Sequence, residues 1–361
     1  MKSKIMIERF NRFIVIVICF LIINSLFLAG WNQTTVKAEE VQTTDRGTKT
    51  TASDTQTSNR TDGNVTKKID KNKLKKPKVK IKKRYEKNVK LKWKKIKNAK
   101  YYIIYRADEK KQNYKKVKKT KKTYFIDKNA VARKTYKYKV VAVTNVSGKK
   151  IKSKAGRTGR VYVRPANPLV VISGECFVEG MAIYAKPYLP SNYRLVHKVG
   201  VSTYGMLNSN YFSYNDMTVT GIERIAYYHP DRVFFLIGMN EARNWNTTST
   251  INNYKKMIQL LKKVNPHVEV VLLALPPVSA NHVSGFADND YINHYNEAYK
   301  NLAKNTENVY YYSGYRKLIT DGNGYLMSYA NGGDGGHWSS QATINALNDI
   351  KKYSDKLTRG K

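Results

Sequence analysis

The sequence predicts two structured units in series, an all-β sandwich and then an α/β domain on a parallel sheet, and two patterns carry that expectation. From about Lys78 to Val163, short segments alternate apolar and polar residues between turn signals such as Ser147-Gly148, as strands with one buried face do. From Leu169 onward, apolar runs alternate with amphipathic helices, the order that produces a parallel sheet covered on both faces. A chain of 361 residues is long enough for both units and their tails.

The first 66 residues belong to neither unit. Lys2, Lys4, Arg9 and Arg12 precede an apolar run from Phe13 to Ala29, and Val36-Lys37-Ala38 offers small residues for cleavage. Residues 1–38 therefore read as a signal peptide or, if uncleaved, a membrane anchor. Residues 39–66 are Thr, Ser, Asp, Asn and Gln with hardly any large apolar side chain, the composition of a disordered linker.

The sandwich is assigned to residues 67–164, with strands expected at 79–81, 89–93, 101–105, 124–126, 136–143 and 161–163. The order of its residues resembles a fibronectin type III domain: Trp93 on the second strand, Ala99 to Arg106 as the third, and Thr135 to Val143 as the strand that carries the tyrosine corner. That resemblance makes Trp93 and Tyr136 core and corner residues rather than ligand contacts. The charge of the chain is concentrated here, with 39 Lys+Arg against 5 Asp+Glu in residues 67–164, a net of +34, and 19 against 15 in residues 165–361, a net of +4. Such a field attracts polyanions in a salt-dependent way. The expected partner is an anionic cell-wall polymer or membrane surface, with no specific nucleic acid; a merely solubilising lysine coat is the alternative.

The α/β domain is assigned to residues 165–361. Strands are expected at 169–172, 195–199, 233–237, 268–275 and 309–312, and helices from Cys176, over 251–264, 291–303 and 339–353. Ligands of such sheets bind outside the carboxyl ends of the strands. Those ends carry Ser173-Gly174-Glu175-Cys176, then Gly200 to Gly205, then Gly238-Met239-Asn240-Glu241, while Asn331-Gly332-Gly333-Asp334-Gly335-Gly336-His337-Trp338 precedes the last helix.

In this order the four segments resemble the blocks of the SGNH (GDSL-like) hydrolase superfamily, across nearly all of residues 168–357. The resemblance implies a three-layer, flavodoxin-like domain that hydrolyses carboxylic esters without a cofactor or metal. It also implies roles. Cys176 would be the nucleophile, His337 the base and then the acid, and Asp334 the group that orients the imidazole. The N–H groups of Cys176 and Gly200 and the amide of Asn240 would form the oxyanion hole, with Gly205 competing for the place of Gly200.

The first block departs from the family, because Glu175 and Cys176 stand where aspartate and serine are normal. Three readings stay open: a working thiol nucleophile, a site that only binds, or Ser173 as a substitute. The thiol reading has two supports, since Cys176 is the sole cysteine outside the targeting segment, where Cys19 lies, and Asn240, Asp334 and His337 are all present. A phosphate loop around Asp334 lacks Gly-Lys-Ser/Thr, and a metal on Asp334 and His337 lacks a third ligand. His197, His229, His267, His282 and His294 have no motif context, and Tyr204, Met239, Trp245 and Trp338 either wall a pocket or pack in the core. The expectation is a secreted or cell-surface ester hydrolase of a Gram-positive type bacterium acting on an acylated carbohydrate, such as an O-acylated glycan, or a small ester. The alternative, of another class, is a noncatalytic surface-binding protein.

Overall fold

The computed structural model describes residues 74–109, 113–283 and 285–359; the targeting segment and the linker lie outside them. Among the described residues no helix is long and apolar enough to cross a membrane.

The N-terminal part is built of antiparallel sheets. Its strands are β1 (Lys80–Tyr85), β2 (Asn88–Lys92), β3 (Tyr101–Asp108), β4 (Lys115–Thr120), β5 (Tyr124–Asp127), β6 (Thr135–Val146) and β7 (Lys149–Lys152), with short β8 (Gly156–Arg157) and β9 (Val161–Tyr162) against β6. One sheet has the order β1-β2-β5 and the other β4-β3-β6-β7. The alternation seen in sequence becomes the core between them, where Val89, Leu91 and Trp93 meet Tyr102, Ile104, Tyr138 and Val140. Trp93 lies edge-on to Tyr102 at 5.3 Å, and the hydroxyl of buried Tyr136 accepts the N–H of Val131 at 3.4 Å, as a tyrosine corner does. Three strands were not expected, the two-residue β8 and the lysine-rich pair β4 (KKVKKT) and β7 (KKIK). Strands β4 and β7 are edge strands, and lysine along an edge discourages pairing with another chain while hiding the period-two pattern.

The C-terminal part alternates strand and helix: β10 (Val170–Gly174), α1 (Cys176–Tyr184), β11 (Tyr193–His197), α2 (Thr203–Asn208), the hairpin β12 (Phe212–Tyr214) and β13 (Met217–Val219), α3 (Gly221–Ala226), β14 (Arg232–Leu236), α4 (Thr248–Val264), β15 (Glu269–Leu273), α5 (Asn289–Lys304), β16 (Val309–Tyr312) and α6 (Ser340–Arg359). The five-stranded sheet has the order β11-β10-β14-β15-β16, and every pairing is parallel. Strands β10, β14 and β15 are buried along their whole length, which is why they read as unbroken apolar runs. Helix α4 turns Tyr254, Met257, Ile258 and Leu261 inward at helical spacing. The second strand starts two residues earlier than expected, and the hairpin, α2 and α3 were unforeseen. A capping box of Thr220 and Glu223 starts α3.

The order changes direction beside β10, which has β11 on one side and β14 on the other, and the carboxyl ends there open the crevice used for ligands in doubly wound sheets. The antiparallel part meets the opposite, amino ends of these strands. Arg133 grips Asp231 with two bonds of 2.9 and 2.5 Å, Arg164 reaches Glu269 at 2.9 Å, and Tyr162 stacks on His267 at 3.7 Å. Buried Arg232 also pairs with Glu269 at 2.5 Å, so both charges are compensated.

Candidate active site

Strand β10 delivers its chain to the crevice, turns at Glu175 and starts α1 with Cys176. The positive end of a helix favours a thiolate there. Cys176 is only partly buried, and its thiol is held below the ordinary range, first by a hydrogen bond with His337, against burial, and then by the N–H groups of Gly200 and of Cys176 itself. His337 is pushed up to about 9, chiefly by its bond to Cys176, with burial opposing and Asp334 adding to the rise. The pair is thus biased toward thiolate and imidazolium.

Asp334 sits on the other side of the imidazole. Its Oδ2 lies 2.5 Å from His337 Nδ1, while Oδ1 accepts the N–H groups of Gly336 and His337 at 2.9 and 2.8 Å. Burial pushes this carboxyl up, but His337 and the two N–H groups outweigh it and hold it below its usual range. The loop is fixed by Asn331, whose Oδ1 accepts Gly333 and Gly335 N–H at 2.8 and 2.9 Å. At Gly335, φ is +83° and a Cβ would lie 2.5 Å from the His282 Cα, so only glycine fits. Phe286 and Phe177 flank the His337 ring at 5.1 and 5.8 Å.

Glu175 is the residue whose part the sequence did not suggest. Its side chain is buried and ties three elements of the next strand end together: Oε1 accepts the N–H groups of Gly238 (3.1 Å) and Met239 (2.8 Å), and Oε2 accepts Asn240 Nδ2. Burial pushes this carboxyl up to about 8, against the pull of the Met239 and Gly238 N–H groups. The second hydrogen of Asn240 Nδ2 makes only a long contact with the Val201 carbonyl, 3.3 Å. It is the hydrogen that a stronger acceptor can take over.

The structure therefore brings Cys176, Gly200, Asn240, Asp334 and His337 to one crevice. Between the two glycines it separates clearly. Gly205 lies within α2 and its N–H is taken by Ser202 Oγ at 3.1 Å, whereas the N–H of Gly200 faces the Cys176 sulfur. Gly200 has φ +67° and a Cβ there would meet nothing, so glycine is required for the backbone angle rather than for close approach. Ser173 is wholly buried inside β10, which removes it as a nucleophile. Met239 and Trp338 are core residues, Trp338 packing on Phe177 at 4.8 Å, while Tyr204 and Trp245 are exposed. Among the described residues no three His, Cys, Asp or Glu side chains are grouped to hold a metal. Three of the other histidines find partners elsewhere: His282 pairs with Asp288, His294 with the Trp245 carbonyl, and His267 with Tyr162.

Residues 184–342 match the model of the GDSL-like Lipase/Acylhydrolase family. The matched stretch holds Asn240, Asp334 and His337 and begins after Cys176. No curated protein matches the chain. Among solved structures the chain is similar to a GDSL-like lipase from Bacteroides thetaiotaomicron, at 18% identity over 52% of this chain and 87% of that one, with a TM-score of 0.41. It is also similar to a carbohydrate esterase family 3 protein from Talaromyces cellulolyticus, at 15% identity over 53% and 98% of the two chains, with a TM-score of 0.35. A further similarity is to the twitchin kinase region from C. elegans, at 19% identity over 26% of this chain and 17% of that one, with a TM-score of 0.23.

Proposed function

We propose, from the premise that residues 184–342 are a GDSL-like lipase/acylhydrolase domain, that this protein is a thiol-dependent carboxylic-ester hydrolase whose nucleophile is Cys176. The observation that carries the reading is the placing of the His337 ring beside the Cys176 sulfur, whose thiol it lowers, with Asp334 Oδ2 held 2.5 Å from His337 Nδ1. In acylation the thiolate attacks the ester carbonyl carbon, and the oxyanion is met by the N–H groups of Cys176 and Gly200 and by Asn240 Nδ2, which gives up its long contact with Val201. Collapse breaks the bond to the alcohol oxygen, which takes the proton of imidazolium His337. His337, now neutral, removes a proton from water as the water attacks the thioester. The second collapse releases the acid and returns the thiolate and imidazolium. Asp334 keeps Nδ1 protonated and so leaves Nε2 for these transfers.

The same proposal places the protein outside the cell, on the strength of the basic and apolar N-terminal segment, with an acylated surface glycan as the natural ester. The net +34 of residues 67–164 would hold it against an anionic wall polymer or membrane. Because the sandwich meets the sheet at the end away from Cys176, it can bind such a surface without covering the crevice.

Hydrolysis of 4-nitrophenyl acetate under reducing conditions tests the chemistry. The wild-type chain should hydrolyse it, Cys176→Ala should not, and His337→Ala should retain a small residue of activity. Wild-type inactivity, or full activity of Cys176→Ala, refutes it; retention on cell walls without acyl release would instead favour a noncatalytic binder.

A further inference from the structure

We propose that an open cleft of about 200 Å³, with Asn240 among its lining residues, is a subsite for one sugar ring of the ester's alcohol portion. This rests on the esterase reading and gives it a substrate class. The cleft shares Asn240 with the catalytic crevice and extends from it along the β14–α4 connection, so a ligand in it adjoins the reacting carbonyl.

Three features of the lining select a sugar. No aliphatic side chain lines the cleft, which removes the hydrophobic gain on which binding of a fatty chain depends. Three of its donors have no internal partner among the described residues: Asn244 and Asn246 commit their Oδ1 atoms to the N–H groups of Asn246 and Thr248 at 2.9 and 3.0 Å, which leaves both Nδ2 groups and the Arg243 guanidinium open to ligand oxygens. Finally, Tyr204 lines the cleft at 63% exposure, a ring left in water where the C–H face of a pyranose can lie on it. Drug-sized ligands fill roughly 300–1,000 Å³, so the smaller volume suits a single ring.

The test compares 6-O-acetyl-glucose, glyceryl triacetate and 4-nitrophenyl acetate on the full chain. Wild type should show the higher kcat/KM for the sugar ester over the triacetate. Arg243→Ala, and Asn244→Asp, which keeps the turn-forming Oδ1 but loses the donors, should each raise KM for the sugar ester roughly three- to tenfold, the loss of about one hydrogen bond. Neither should alter 4-nitrophenyl acetate hydrolysis; both residues are exposed, so folding should be unaffected. Equal use of the triacetate, or variants that slow both acetates alike, overturns the subsite. If no ester is cleaved at all, the esterase reading fails separately, and the subsite is then judged by saturation-transfer NMR of glucose on Cys176→Ala. Transfer that disappears in Arg243→Ala upholds it, and no transfer overturns it.

Discussion

Removing His337 should cost Cys176 its reactivity at mildly acidic pH, and the size of the loss follows from the ion pair. The strongest influence lowering this thiol is the hydrogen bond with His337, and burial pulls the other way. Without the imidazole the thiol returns to the ordinary range or above it. An unperturbed thiol, with a pKa of about 8.5, is only about 1% ionised at pH 6.5, so a thiol returned to that range loses up to roughly a hundredfold in thiolate fraction. A more basic thiolate is also more nucleophilic, with a Brønsted slope of about 0.4–0.5, which recovers close to half of that loss on a logarithmic scale. The expected drop in the iodoacetamide rate at pH 6.5 for His337→Ala is therefore about tenfold, narrowing as pH rises. The assay is the alkylation rate against pH, with mass spectrometry placing the adduct on Cys176. Equal rates for variant and wild type at pH 6.5 would refute the ion pair. NMR of His337 supplies the reciprocal check, since its titration near 9 should fall toward neutrality in Cys176→Ala, with Asp334 still holding it somewhat above the free value.

Further outcomes can be measured. Glu175 ionises at about 8 and His337 loses its proton at about 9, so kcat/KM should rise as pH passes the first value and fall beyond the second. Glu175→Gln keeps the two backbone bonds but turns an NH₂ toward the Asn240 amide; above pH 8 it should lose about a hundredfold in kcat/KM, the usual cost of one oxyanion donor, with alkylation of Cys176 unchanged. The same linkage sets stability: the buried acid binds a proton that the unfolded chain releases near 4.5, so wild-type stability should decline as pH rises from there through about 8, while Glu175→Gln stays flat in that window. Gly200→Ala, strained by a positive φ but unobstructed, should cost about 1–2 kcal/mol in urea unfolding and still slow hydrolysis. Retention of the full chain on immobilised polyphosphate should weaken steadily with added salt, and a flat response would reduce the lysines to a solubilising coat.

What was legible in the sequence was whatever repeats or breaks a pattern. The parallel strands β14 and β15 are buried on both faces, so RVFFL and EVVLL stand out as runs, and Gly238 to Glu241 after the first of them could be read as candidate site residues from position. Strands β4 and β7 could not be found in this way: at a sheet edge the demand is for charge, and KKVKKT satisfies it without alternation. Helices α2 and α3 have six residues each, too few for periodicity to declare itself, although the Thr220–Glu223 cap was a usable signal. Within the candidate site, Cys176, Asp334 and His337 could be proposed from residue type, because few side chains do nucleophilic and proton-transfer chemistry. Asn331 did not, because its task is to accept two N–H groups of a loop whose shape only the fold defines.

Glu175 is the most instructive of these positions, because the departure from the resemblance is where the proposed mechanism would gain a part. Read alone, the change looks like decay beside a second change at Cys176. In the fold the carboxyl caps no helix N–H; it spans from β10 to the end of β14 and fixes Gly238, Met239 and Asn240 at once. A site drifting without catalytic use would have little need to hold an amide in this attitude, since its free hydrogen serves only a 3.3 Å contact. The burial that raises this carboxyl is only partly opposed by the Met239 and Gly238 N–H groups, so the arrangement costs stability and persists against that cost. Orientation of a donor toward a developing oxyanion is the function that such a cost would serve. If Glu175→Gln proved more stable than wild type at pH 8 and as fast on 4-nitrophenyl acetate, that link between burial and catalysis would be broken.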